Sequence, residues 1–100
     1  MTEDNPNKTW EHPGGKFRRM GPVSCTEAEL VAIIFGSGSR GRTAVEIAEE
    51  IFEKYGTLLD LMGKPLKELM AIKGLKAVKA TQLAAVFEIS RRIVKHLERQ

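Results

Sequence analysis

Beyond residue 25 the apolar residues recur at intervals of three and four, the spacing of helices that turn one face inward. The clearest run is Ala44, Ile47, Ala48, Ile51, Phe52 and Tyr55, with Glu46, Glu49, Glu50 and Glu53 on the other face. Thr43 can cap this helix, and Gly56 sits where a left-handed C-terminal cap belongs. Upstream, Thr26-Glu27-Ala28-Glu29 fits a capping box, in which hydroxyl and carboxylate each bind the other's amide. Leu30, Ile33 and Ile34 then share a helical face, and the helix stops near Phe35, before Gly36-Ser37-Gly38-Ser39-Arg40-Gly41. Downstream, a short helix over 58–62 closes at Gly63. Pro65 opens another over 66–71, expected to bury Leu66, Leu69 and Met70. The last helix runs from about Ala77 to near Arg99, with a stripe of Ala80, Leu83, Ala84, Phe87, Ile93 (or Val94) and Leu97 interrupted by Ser90. No segment alternates with a period of two for long enough to read as a strand. Residues 1–23 carry Pro6, Pro13, Gly14, Gly15, Gly21 and Pro22 with no apolar period. They read as a flexible arm in which Trp10 is the one large apolar residue and Phe17-Arg18-Arg19-Met20 the part able to dock. The expected architecture is all-α, one domain over 24–100 built as a compact bundle of about five helices.

The 100 residues, 42% of them hydrophobic, suffice for one modest core. Charge is unevenly spread. Residues 1–63 hold seven Lys and Arg against ten Asp and Glu, a net of −3, and residues 64–100 hold nine against three, a net of +6. The basic character lies in the last third, where it marks either a solvated helix face or a polyanion-binding surface. Cys25 is the single cysteine, so no internal disulfide forms, and a reducing cytoplasmic setting is expected. Neither His12 nor His96 lies near it in sequence, which argues against a nucleophile. The start of the chain is acidic and polar, unlike a signal peptide, and no apolar stretch approaches the roughly 18 residues of a membrane span.

The stretch Leu69–Leu83 resembles a helix-hairpin-helix motif, placed at 66–87. Ile72, Gly74, Leu75 and Ala80 match its pattern, and Lys76 replaces the second glycine. Gly74 permits a sharp turn at positive φ, Leu75 pins the turn to the core, and Ala80 lets the two helices approach. The second helix then begins with uncovered amides and the positive end of its dipole, which can hold a phosphate oxygen. Lys73, Lys76 and Lys79 surround that end. Such hairpins bind the DNA backbone without reading bases, so the resemblance implies a DNA-binding set of Lys73, Gly74, Leu75, Lys76 and Lys79. The lysine at 76 either moves the phosphate contact from amide to side chain or marks a hairpin kept for structure.

An internal repeat extends this reading. Glu29–Ile33 matches Glu68–Ile72 at an offset of 39, and Ala44, Ile47 and Ala48 match Ala80, Leu83 and Ala84 at an offset of 36. Ser39–Thr43 then forms a degenerate first hairpin. Two hairpins joined by the short 58–62 helix give a five-helix pseudo-two-fold domain (SAM/HhH-like), in which Arg40 and Arg42 join the DNA-binding set.

The order of elements resembles the N-terminal domain of the RadC-like family over about residues 17–93. The residues that carry this are Gly21-Pro22, Glu27–Ile34, Gly36–Ala44, Ile72–Ala80 and Glu88-Ile89-Ser90-Arg91-Arg92. The resemblance implies a DNA-binding part of a two-part protein, associated by label with DNA repair or recombination. Its other part is an MPN/JAB-type metal-dependent domain, a second implied partner. In an alternative reading, this domain is a scaffold for that partner, docking through Val86, Ile89 or Ile93. Nothing in this chain has ligand spacing for zinc, and no cofactor or catalytic set is expected. The literal G-x-G-x-x-G at Gly36–Gly41 lacks the preceding strand and following acidic residue of a dinucleotide site, and reads as an interhelical turn.

Overall fold

Six α-helices run through residues 12–99, the part of the chain that the computed structural model describes. They are α1 (Pro13–Met20), α2 (Glu27–Phe35), α3 (Ala44–Tyr55), α4 (Leu58–Leu61), α5 (Leu66–Leu69) and α6 (Ala77–Glu98), with a 3-10 turn at Pro22–Ser24. The fold class is all-α, and α2 to α6 are the five helices that the spacing predicts.

Three helices start by the same device. Thr26, Thr43 and Thr57 each accept a hydrogen bond from the amide three residues on, and Glu29, Glu46 and Asp60 reach back to the threonine amide. Each cap is worth about 1 kcal/mol. The sequence pattern had marked the box at Thr26 and the cap at Thr43. At Thr57 an aspartate stands in for the usual glutamate, which hides the pattern.

The core is assembled from Val31 and Phe35 of α2, Ile47, Ala48 and Ile51 of α3, Leu61 of α4, Leu69 of α5, and Ala80 and Leu83 of α6. Ile72 and Leu75, between α5 and α6, complete it. α2 packs against α3 and α6, and α5 lies against α6. No polar or charged side chain is buried among the described residues.

The structure departs from the sequence reading in four places. Residues 13–20, read as part of an arm, form α1, which starts with Pro13 at its first position and ends at Gly21 with φ +90°. It buries none of its side chains, so no apolar period announces it, and Gly14 and Gly15 disguise it further. Lys16 ties it to α2 through Glu29, at 3.1 Å. Trp10 lies outside the described residues. α5 is a single turn, so Leu69 alone faces the core from it, and Leu66 and Met70 are exposed. The α6 stripe is buried at Ala80 and Leu83 and partly buried at Ala84 and Phe87. From Ile89 onward its apolar residues are exposed, because among the described residues no core element packs beside them. The repeat, finally, carries into burial only in its second half. Ile47 and Leu83 are both core, but Val31 and Ala32 are buried where their counterparts Met70 and Ala71 are exposed.

Candidate nucleic-acid interface

Between α5 and α6 the chain turns through a short series of backbone bonds. Ile72 N–H donates to the Leu69 carbonyl at 3.1 Å, and Leu75 N–H to the Ile72 carbonyl at 3.0 Å. Ile72 and Leu75 anchor the turn in the core from both sides of Gly74. Gly74 has φ +91°. A Cβ there would lie 2.5 Å from Ser39 Oγ and 3.0 Å from Ile47 Cδ1, so the position needs glycine twice over, for its backbone angle and for its neighbours.

Those neighbours belong to the α2–α3 loop and α3. Ser39 and Arg42 exchange backbone N–H to carbonyl bonds, both 3.0 Å, and Gly41 at φ +80° completes the tight turn between them. Gly38 passes so close to the backbone of Arg42 and Thr43 that a Cβ would overlap it at 2.1 Å. The G-x-G-x-x-G stretch is therefore a packed turn between two helices. Ser39, which closes that turn with Arg42, lies against Gly74 and brings the two predicted hairpin turns side by side.

Arg42 locks them together. Its guanidinium donates to the Lys73 carbonyl at 2.8 Å and the Glu46 carbonyl at 3.4 Å, and pairs with Glu50 at 2.6 Å. Sequence reasoning placed Arg42 among the groups facing DNA. In the structure its charge is committed inward, and its contact with Lys73 had no signal in the sequence, since the two lie 31 residues apart. Leu75 is fully buried and supplies an anchor, not a contact. Lys73, Lys76 and Arg40 are exposed, Lys79 is partly so, and Gly74 sits at the turn between them.

The start of α6 differs from the three boxed helices. Its N-cap is Lys76, with extended backbone, no side-chain cap and no acidic residue in the first turn. The first-turn amides have no partner within a helix by geometry. At α2 and α4 the corresponding positive end is already occupied. Glu29 and Asp60 are held below the usual carboxylate range mainly by the backbone amides of Thr26 and Thr57. One flank is hostile to a polyanion, however. Glu46, Glu49, Glu50 and Glu53 of α3 line a shallow depression beside Arg42 and make that side acidic.

Among the described residues no three His, Cys, Asp or Glu side chains are grouped to hold a metal ion, and no helix is long and apolar enough to cross a membrane. The family model described as UPF0758 N-terminal matches residues 7–81. The chain is similar to the UPF0758 protein of Bordetella petrii, 42% identical over 82 residues, covering 82% of this chain and 36% of that protein. It is 41% identical over 88 residues to a UPF0758 protein of Nitrosococcus oceani, covering 88% of this chain and 38% of the relative. With one from Xanthomonas euvesicatoria it shares 38% over 92 residues, covering 91% and 41%. The chain thus spans about two-fifths or less of the length of these relatives. No solved structure matches it.

Proposed function

The chain belongs to the UPF0758 family, the RadC-like proteins, and we propose that it serves such a protein as a non-catalytic module that grips the DNA backbone without reading bases. The observation that supports this is the open start of α6. Where Thr26, Thr43 and Thr57 close their helices with the chain's own carboxylates, α6 begins at a lysine with no side-chain cap among the described residues and no acidic residue in its first turn. A phosphate oxygen is the ligand that such an end accepts, with amide hydrogen bonds, the helix dipole and neighbouring positive charge acting together. In this reading Lys73, Lys76 and Lys79 hold phosphates, Gly74 shapes the approach and Arg40 extends the contact from the neighbouring turn. Arg42 positions Lys73 through its carbonyl. Lys76 adds its side-chain charge beside the amides that begin α6. A role in DNA repair or recombination follows from the RadC-like association and belongs to the same proposal.

Contacts of this kind are independent of sequence and steeply dependent on salt. Each neutralised phosphate contributes a slope of about −0.9 to log K against log salt. Three lysines therefore predict a slope of roughly −3. The test is titration of a labelled duplex and a branched DNA at two or more salt concentrations. Lys73→Glu combined with Lys76→Glu is expected to flatten the slope by about two and to weaken binding tenfold or more at low salt. Binding that is unchanged in this variant refutes the assignment.

A further inference from the structure

α6 extends beyond the body that holds it. Its buried residues end at Leu83 and its partly buried core contact at Phe87, yet the helix continues to Glu98. On that extension Ile89, Ile93 and Leu97 follow one another at intervals of four. They are 59%, 55% and 60% exposed, and with Arg92 and His96 they line a groove of about 320 Å³. Bulky aliphatic side chains stacked on one side of a helix and left more than half exposed among the described residues mark a surface that something covers.

We propose that this face seats the polypeptide that follows the corresponding helix in full-length UPF0758 proteins, and that the covering surface is apolar. Three observations select this occupant. The matching family model is the N-terminal one, and the relatives are more than twice as long as the matched region, so in them the larger part of the protein comes after it. Arg92 lines the groove and is bound to Glu88, so the face presents little free charge and suits an apolar cover. The stripe is also short, three side chains along about 12 Å of helix. A stable interface between free partners needs on the order of 1,200 Å² or more. A partner joined to the same chain needs far less, because its effective concentration is on the order of millimolar.

This inference uses none of the residues assigned to DNA. The core closes within residues 31–83, so the 100-residue chain folds without the partner. The test compares that chain with the same chain joined through Gln100 to the remaining segment of the Bordetella petrii protein. Amide hydrogen exchange at residues 89–97 is expected to be at least tenfold slower in the joined protein, and to return to the rate of the short chain when the joined protein carries Ile93→Glu. The short chain with Ile93→Glu keeps its helical circular dichroism, since the side chain is exposed there. Equal exchange in the short and joined proteins overturns the proposal, as does protection that survives Ile93→Glu. A short chain that sediments as a dimer with these amides already protected also overturns it, assigning the face to a second copy.

Discussion

Replacing Gly74 with alanine tests the packing of the two turns with the smallest possible change. The residue sits at φ +91°, where an L-residue is strained by about 1–2 kcal/mol. The added methyl meets Ser39 Oγ at 2.5 Å and Ile47 Cδ1 at 3.0 Å, and Ile47 is fully buried and cannot swing away. Forcing one carbon into a filled site costs about 1–3 kcal/mol more. The expected loss is about 2–5 kcal/mol, a large share of the roughly 5–15 kcal/mol that holds a small domain together. Gly41 provides the control. Its φ is +80°, yet nothing lies within 4 Å of its added Cβ, so Gly41→Ala carries the backbone strain alone. Urea unfolding followed by circular dichroism separates the two, provided the slope of each transition is unchanged. Combining Gly74→Ala with Ser39→Ala removes the nearer obstacle, and about 1 kcal/mol should return relative to the sum of the single changes. If Gly74→Ala proves no worse than Gly41→Ala, the two turns do not press on each other as described.

Further outcomes follow from the same geometry. Arg42→Ala removes the link to Lys73, Glu46 and Glu50, and denaturation should report a loss of about 1–2 kcal/mol, reduced from that of a buried charged bond because the side chains are partly solvated. Thr43→Ala should cost about 1 kcal/mol by the same measurement, through loss of the α3 cap. Glu88 titrates at about 2, lowered first by its hydrogen bond from Arg91 and then by that from Arg92. Because its folded value lies below the ordinary 4.5, the support it gives to α6 is complete above pH 4.5 and disappears as the pH falls through about 2. Carboxyl NMR should follow this titration, and Arg91→Gln with Arg92→Gln should move it back toward the usual range. Replacing both Glu49 and Glu53 with glutamine should tighten DNA binding at low salt by roughly twofold, and the gain should fade as salt rises.

Much of this molecule can be read from its residue order, because most of its helices are amphipathic and several announce their ends. The α3 period, the threonine before it and the glycine after it specify that helix without reference to the rest of the chain. Ile72, Gly74, Leu75 and Ala80 likewise foretell a turn pinned at both sides, since each residue type answers one local demand. What stayed hidden depends on elements far apart in the chain. Nothing near Arg42 reveals that a carbonyl 31 residues away will receive its guanidinium, so its sequence reads as one more basic residue near a turn. The exposure of Leu66 and Met70 is not legible from spacing, because periodicity assumes a helix long enough to have a face, and α5 is a single turn. The α6 stripe is legible as a helical face, but apolar spacing does not tell where along it the core ends, since it does not say which neighbours exist. α1 escaped for the opposite reason, having a helical backbone and no buried side to leave a trace.

The bond between Arg42 and the Lys73 carbonyl bears on protein engineering. A segment of residues 66–87 looks like a self-contained cassette that could be grafted onto another scaffold as a ready-made phosphate grip. It is not portable in that form. The ceiling over Gly74 and the strap on Lys73 come from residues 39–50, so a transplant without them would leave the lysines on a loose end. A working graft has to carry both strips of chain and keep them facing each other.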